Sequence, residues 1–190
     1  MTWLTDEQMI AMGFAGFGKN VFLSDKASYY NCKNIQIGNN VRVDDFCVLS
    51  AGVGGIIIGN YIHIAVFSSL IGAGQIALAD FCNISSRVSI YSSNDDYSGA
   101  AMTNPTLPEA LTKVHHADVR VGSHVIIGSG VIILPGVVLE EGVAIGALSL
   151  VKKDCSAFGI YAGVPARKIA ERKRDLLTHS RMLVNFEQND

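Results

Sequence analysis

Within this 190-residue chain, the stretch SSNDDYSGAAMTNPTLPEALTKVHHADVR at residues 92–120 gathers groups that can move protons. It sets the carboxylates Asp95 and Asp96 ahead of the adjacent imidazoles of His115 and His116. Histidine is the side chain best suited to take a proton near neutral pH, and a carboxylate can orient an amine or a histidine. The run Asn94-Asp95-Asp96 is equally ordinary turn chemistry, and paired histidines can stand idle in solvent. A second group of charges, Arg172, Lys173 and Arg174, lies among Ile169, Leu176, Leu177, Met182 and Leu183. That pattern predicts an amphipathic helix over residues 166–184 with the charges on its solvated face.

The elements that must position these groups follow from a six-residue period. Aliphatic or aromatic residues recur as Phe17, Leu23, Tyr29; Ile37, Val43, Leu49; Ile58, Ile64, Leu70; Leu78, Ile84, Ile90; Val121, Ile127, Ile133; and Leu139, Ile145, Val151. Neither a helix, with a period of about 3.6, nor a half-buried strand, with a period of 2, produces this spacing. Three hexads close one triangular coil if each supplies a short strand and a corner, and the recurring residue then points inward onto its counterpart one coil away. Such a repeat buries its face only against its neighbours. Small or turn-forming residues follow the inward position at Gly38, Asp44, Gly59, Ala65, Ala79, Gly122, Gly128 and Gly146, as tight corners require. With stacked strands about 4.8 Å apart, six coils make a rigid prism about 30 Å tall.

The expected division is an N-terminal helical cap at 1–16, a β-helix at 17–157 with the 92–120 excursion, and a tail at 158–190. Thr5 and Gln8 have the spacing of a capping box and Gly13 that of a stop, which predicts a helix over residues 6–12. A long excursion that leaves the frame and returns to it in register is usually functional or disordered.

Composition narrows the classes. Apolar residues make up 49% and charged residues 17%, a poor supply of polar groups for a monomer's surface, which points to self-association. A net charge of -2 without a long basic run argues against nucleic acid as a partner. The N-terminus lacks the pattern of a signal peptide, and no apolar run reaches the roughly 18 residues of a membrane span, so a soluble, cytoplasmic protein is expected. Cys32, Cys47, Cys82 and Cys155 are scattered without a CxxC pair and read as reduced core thiols, neither zinc ligands nor disulfides.

The hexads, the internal loop and the tail GIYAGVPARKI at 159–169 together resemble the hexapeptide-repeat acyltransferases, over nearly the whole chain. The resemblance implies an all-β solenoid, a left-handed parallel β-helix of about six coils with a protruding loop and a C-terminal α-helix. It implies a homotrimer that uses acetyl-CoA as cosubstrate and no metal. Over VGSHVIIGSGVIILPGVVLEEGVAIGALSLVKKD the chain is similar to galactoside acetyltransferases. That similarity implies a cofactor groove between adjacent prisms, Ser129 and Ala147 along the pantetheine, and Lys152, Lys153 and Arg167 at the phosphates. Exposed cations are what such a nucleotide needs.

The family's loop histidine is missing: after Val88-Ser89-Ile90 the chain reads Ser93-Asn94-Asp95-Asp96. Asp95, Asp96 or His115 must then handle the proton, or the acceptor needs little help. An amine needs less assistance than a hydroxyl. The loop and N-terminal coils also resemble bacterial N-acetyltransferases of nucleotide-linked amino dideoxy sugars, of the dTDP-4-amino-4,6-dideoxyglucose type, in O-antigen and lipopolysaccharide biosynthesis. The expected chemistry is direct transfer from acetyl-CoA, with a backbone amide near Ser129 on the oxyanion and no acyl-enzyme. The alternatives are a sugar O-acetyltransferase of the galactoside type, a γ-type carbonic anhydrase with zinc on converging histidines, and a non-catalytic scaffold. His63 and His124 lack the close histidine spacing that such a zinc site needs.

Overall fold

The structure, a computed structural model, describes residues 2–187. Each hexad forms a strand of a few residues, and the strands stack into three sheets of 6, 8 and 6 strands, parallel but for the last strand of the eight, that wall a triangular prism. Six coils are complete, and a partial seventh is laid down by the bridge Leu139 to Cys155 and by Gly159–Gly163 pairing with Ala144–Ile145. The recurring residues Leu23, Val43, Ile64, Ile84, Ile127 and Ile145 all point into the prism and are buried. The strands Ile35–Ile37, Val41–Val43, Ile56–Ile58 and Ile62–Ile64 each bury both end residues and expose the middle one more. The core therefore holds two side chains per hexad, because the two-residue alternation of a strand persists inside the six-residue repeat.

Stacking in register leaves no room at the corners. A Cβ on Gly128 would lie 2.6 Å from the Ala147 nitrogen of the next coil, and one on Gly38 would lie 2.5 Å from the Gly59 carbonyl oxygen. One edge is tied by a ladder of side-chain oxygens. Asn39 accepts from the Lys19 amide at 2.8 Å, Asn60 from the Asn39 amide at 2.8 Å, and Asp80 from the Asn60 amide at 2.7 Å. Beside it, Tyr61 stacks on Phe81 and Phe81 on His124 at centroid distances of 5.1 and 4.8 Å.

Burial pushes the pKa of His124 below its ordinary value, Glu141 pulls it up, and Arg172 adds to the lowering. The folded chain then resists a proton that the unfolded chain accepts. This contribution to stability is present above the unfolded value near 6.5 and is lost as pH falls through it towards the folded value. Urea unfolding at about pH 7.5 and about pH 5.5 should show a smaller loss of stability for His124→Phe than for the natural chain.

Asp6–Met12 is a helix with the full capping box between Thr5 and Gln8, and Gly13 closes it at φ 74°. Met9 plugs the first coil, 1% exposed. The C-terminal end differs from expectation. Ala166–Glu171 is a strand, antiparallel to Gly159–Gly163, and the helix covers only Leu176–Glu187. Ile169 and Met182 are exposed, so the amphipathic face expected over residues 166–184 does not close the prism. The reason is backbone hydrogen bonding: Gly159–Gly163 is the open edge of the last coil, and a returning strand satisfies its unpaired groups where a helix cannot. All four cysteines are free and buried, and burial pushes the thiols of Cys47, Cys82 and Cys155 up to about 11, about 12 and about 11. No helix among the described residues is long and apolar enough to cross a membrane.

Candidate active site

The excursion leaves the prism after Ser89–Tyr91 and returns at Val119–Val121, which pairs with Ile76–Leu78 as though nothing intervened. Its two stems are fastened to the prism and to each other. Ser93–Asn94 pairs antiparallel with His115–His116, the Ala117 amide donates to the Ser92 carbonyl at 3.1 Å, and Asp118 accepts from the Gln75 amide at 2.9 Å. The Ser93 hydroxyl accepts from the Ala73 amide at 2.7 Å and meets His116 Nδ1 at 2.7 Å. The sequence points to the His115-His116 pair, of which only His115 was given a role. The signal available was strand alternation, which sends two adjacent histidines to opposite faces.

The two aspartates have different surroundings. Asp96 accepts from the Ser98 amide at 3.0 Å, the Ser98 hydroxyl at 2.7 Å and the Ala101 amide at 3.1 Å. These bonds, Ser98 first, hold its carboxyl below the usual range, so Asp96 stays ionised and folds the loop. Asp95 is exposed and has no such partners among the described residues. It lines a cavity of about 640 Å³ inside the loop with Tyr97, Met102 and Asn104. It also lines one of about 600 Å³ between the loop and the prism, where Tyr91, Ile132, Leu134 and Leu150 form the floor. The ring of His115 is exposed, and its backbone stands opposite Asn94, so Asp95 and His115 share one end of the short ladder.

Ser129 and Ala147 lie on one edge of the prism in successive coils. The Leu148 amide donates to the Ser129 carbonyl at 2.9 Å, while the amides of Ser129 and Ala147 themselves have no partner among the described residues. Two exposed N–H groups spaced one coil apart suit the carbonyl-rich arm of an extended ligand. Further along, Lys152, Lys153 and Arg167 line a recess of about 170 Å³ with Tyr161 and Lys168. Lys168 went unnoticed in the sequence because it needs the returning strand to bring it there. Its ammonium pairs with Glu171 at 2.6 Å, and that hydrogen bond raises its pKa. Among the described residues no carboxylate pairs with Lys152, Lys153 or Arg167.

One protomer does not unite the proton-handling candidates with Ser129 and Ala147. Ser129 precedes Leu134, on the floor beneath Asp95, by five residues, at most about 18 Å of chain. Ser129 and Ala147 precede the strands Ile132–Ile133 and Leu150–Val151, whereas the loop follows Ser89–Tyr91 and Lys152 and Lys153 follow Leu150–Val151 in the same sheet, so only the Ser129 and Ala147 amides stand at the opposite edge of that prism face from the proton-handling candidates. His63 belongs to neither group. Its Nε2 meets Asp44 Oδ2 at 2.9 Å across neighbouring strands, and Arg42 Nε, two residues back along the chain from Asp44, donates to Asp44 Oδ1 at 2.7 Å. Asp44 is 5% exposed, so this trio satisfies a buried carboxylate. Among the described residues no three His, Cys, Asp or Glu side chains converge as metal ligands.

Known proteins resemble this chain closely in sequence and fold. The chain is 59% identical over 177 residues, 93% of its length and 92% of the relative's, to a dTDP-4-amino-4,6-dideoxy-D-glucose acyltransferase of Escherichia coli. Among solved structures it is similar to AntD, an N-acyltransferase from Bacillus cereus, in complex with dTDP and 3-hydroxybutyryl-CoA. There the TM-score is 0.92 at 44% identity, covering 99% of this chain and 98% of that one. A variant of AntD holding dTDP-4-amino-4,6-dideoxyglucose and coenzyme A gives 0.91 at 44% identity, covering 97% and 98%. A maltose O-acetyltransferase from Clostridium difficile, 21% identical with a TM-score of 0.57 over 90% and 79% of the two chains, shares the fold alone. No family model matches the chain. On these grounds the chain belongs to the dTDP-4-amino-4,6-dideoxyglucose N-acyltransferases, a branch of the hexapeptide-repeat acyltransferases.

Proposed function

We propose that the protein transfers the acetyl group of acetyl-CoA to the 4-amino group of dTDP-4-amino-4,6-dideoxyglucose, in the cytoplasm, for a bacterial surface polysaccharide such as O-antigen. One observation carries the reading. In a chain 59% identical to an acyltransferase of that sugar, amides at Ser129 and Ala147 without partners among the described residues share the last coils with Lys152, Lys153 and Arg167, cations that no carboxylate among those residues pairs with, although Asp154 lines the same recess. That is the sequence of groups a coenzyme A molecule presents: amide-bearing arm, then phosphates.

The chemistry is direct. The neutral amine attacks the thioester carbonyl, an amide near Ser129 takes the oxyanion, and collapse expels the coenzyme A thiolate. One proton must leave the nitrogen, and Asp95, which has no hydrogen-bond partner among the described residues, is better placed to receive it than Asp96, with His115 beside it. A homotrimer supplies the juxtaposition that one protomer lacks, by laying the loop of one prism against the Ser129 edge of the next. The exposed apolar residues Ile132 and Leu148 support that contact.

Thiol release from acetyl-CoA, measured against the amino sugar nucleotide and against plain sugars, tests the reading. Turnover is expected with the amino sugar alone, and turnover with hydroxyl acceptors alone would replace N-transfer by O-transfer. Asp95→Asn and His115→Asn should divide the proton-handling role, with a loss of roughly 10² in kcat for the residue that carries it. Asp96→Asn should instead lower loop stability. Undiminished kcat in all three variants removes the side-chain proton acceptor from the mechanism.

A further inference from the structure

Arg172, expected with Lys173 and Arg174 on the solvated face of a helix, is half-buried instead, and it lies ahead of the helix. Its Nη1 donates to the His124 carbonyl at 2.7 Å and to the Gly142 carbonyl at 3.0 Å, and its amide donates to the Phe158 carbonyl at 2.7 Å. His124, Gly142 and Phe158 occupy one prism corner in successive coils, all with left-handed backbones, at φ 62°, 69° and 55°. The amide ladder at this corner uses the residue before each of them: the Gly142 amide donates to Ser123 and the Phe158 amide to Glu141. The carbonyls that Arg172 takes are the ones this ladder skips. A guanidinium nitrogen carries two hydrogens at fixed angles, so a single Nη1 can serve two carbonyls one coil apart. A Cβ on Gly142 would collide with the Phe158 ring, and Arg174 lies 4.5 Å over that ring, a second hold on the same corner.

The clasp matters because of the strand that ends at it. Arg172 directly follows Ala166–Glu171, which brings Arg167 and Lys168 to the recess with Lys152 and Lys153. Burial cannot set the register of this strand, because Ala166 alone is half-buried and the residues after it are exposed. A strand without a buried face is weakly specified, and a slip of one residue carries each side chain to the opposite face. The pairing is already irregular. Ile160 stands opposite Ala170 and Tyr161 opposite Lys168, so Ile169 is an extra residue bulged out of the ladder. Absorbing that residue into the pairing would shift Arg167 and Lys168 by one position and turn them away from Lys152 and Lys153.

We propose that Arg172 is a positioning residue for the acyl donor. By holding the carbonyls of His124 and Gly142 it fixes the end of the returning strand, keeps the bulge at Ile169 and so keeps Arg167 and Lys168 in the recess. This rests on the reading of that recess as the place of the coenzyme A phosphates. It adds that the affinity for the donor is set in part from a corner outside the recess.

Amide hydrogen exchange of the full chain, read together with steady-state kinetics, tests the clasp. Arg172→Ala should speed exchange in residues 166–171 about tenfold or more and leave residues 56–64 as they are. It should raise the KM for acetyl-CoA about tenfold and change kcat by less than about twofold. Arg172→Lys, which keeps the charge without the planar fork, should fall between. In a chain already carrying Arg167→Ala and Lys168→Ala, adding Arg172→Ala should raise the KM by less than about twofold, because the groups it positions are gone. Natural exchange in residues 166–171 of Arg172→Ala overturns the proposal. A natural KM in Arg172→Ala overturns it too, where the chain lacking Arg167 and Lys168 has a raised one. An equal rise in KM in both backgrounds also overturns it and makes Arg172 a direct contact of the donor. If exchange quickens in Arg172→Ala while loss of Arg167 and Lys168 leaves the KM unchanged, the reading of the recess fails and the clasp on the strand stands.

Discussion

Replacing Lys152, Lys153 and Arg167 together by alanine should raise the KM for acetyl-CoA roughly a hundred- to thousandfold while leaving kcat for the bound substrates nearly intact. Each cation facing a phosphate makes a charge-assisted hydrogen bond, worth about 1.5–3 kcal/mol when well formed and less where water screens it. Three such contacts are not additive, and a combined loss of about 3–4 kcal/mol corresponds to that range in affinity. The phosphates lie far from the reacting carbonyl, so their contacts stabilise ground and transition states alike, and KM rather than kcat registers their loss. Dephospho-coenzyme A sharpens the measurement. Its acetyl thioester should be a poorer substrate than acetyl-CoA for the natural enzyme and an equal one for the triple variant. An unchanged KM in the triple variant would remove the phosphates from the recess that these residues line with Tyr161 and Lys168.

The largest effect on stability should come from a change that the sequence alone makes look trivial. Ile56, Ile57 and Ile58 are three identical residues in a row; the first and last are 1% exposed and the middle one 43%. Ile58→Ala should cost about 2–5 kcal/mol in urea unfolding, from the lost transfer free energy plus the cavity left behind. Ile57→Ala, on the outer face, should cost about 1 kcal/mol or less. A solenoid transmits the loss only to the coils on either side, so Ile58→Ala should also broaden the transition if those coils separate from the rest. Equal losses for the two variants would contradict the assignment of faces.

The prism was readable from the chain because an inward residue every six positions has no other simple explanation. Ile84, Ile127 and Ile145, chosen by spacing alone, are all at most 3% exposed. The partner set, Val125, Val131, Val137 and Val143, is buried as deeply, and the six-residue frame passed over it because it demanded only one residue per hexad. The tail was misread for a different reason. Ile169, Leu176, Leu177 and Leu183 have helical spacing, but residues 166–171 answer to an open sheet edge that exists only once the last coil is in place. Local periodicity cannot register a hydrogen-bonding demand created elsewhere. In the candidate site, residue type alone ranked Asp95 and Asp96 equally. The bonds from Ser98 and Ala101 separate them, and those depend on the path of the loop. The distance between Asp95 and Ser129 is a property of the closed prism, and no pattern of residue types encodes it.

The stems of the excursion are joined where they leave the prism, with Ser92 and Ala117 in direct backbone contact and the strands on either side in register. The prism is thus already continuous beneath the loop, and what lies between those residues behaves as an exchangeable cassette. A lineage could replace the whole segment, altering its length, its acids and its histidines, without retuning a single coil. Under the proposed function, the prism edge assigned to the acyl donor and the loop assigned to the acceptor amine can then diverge at separate rates. New acceptors become reachable by substituting one contiguous block of sequence.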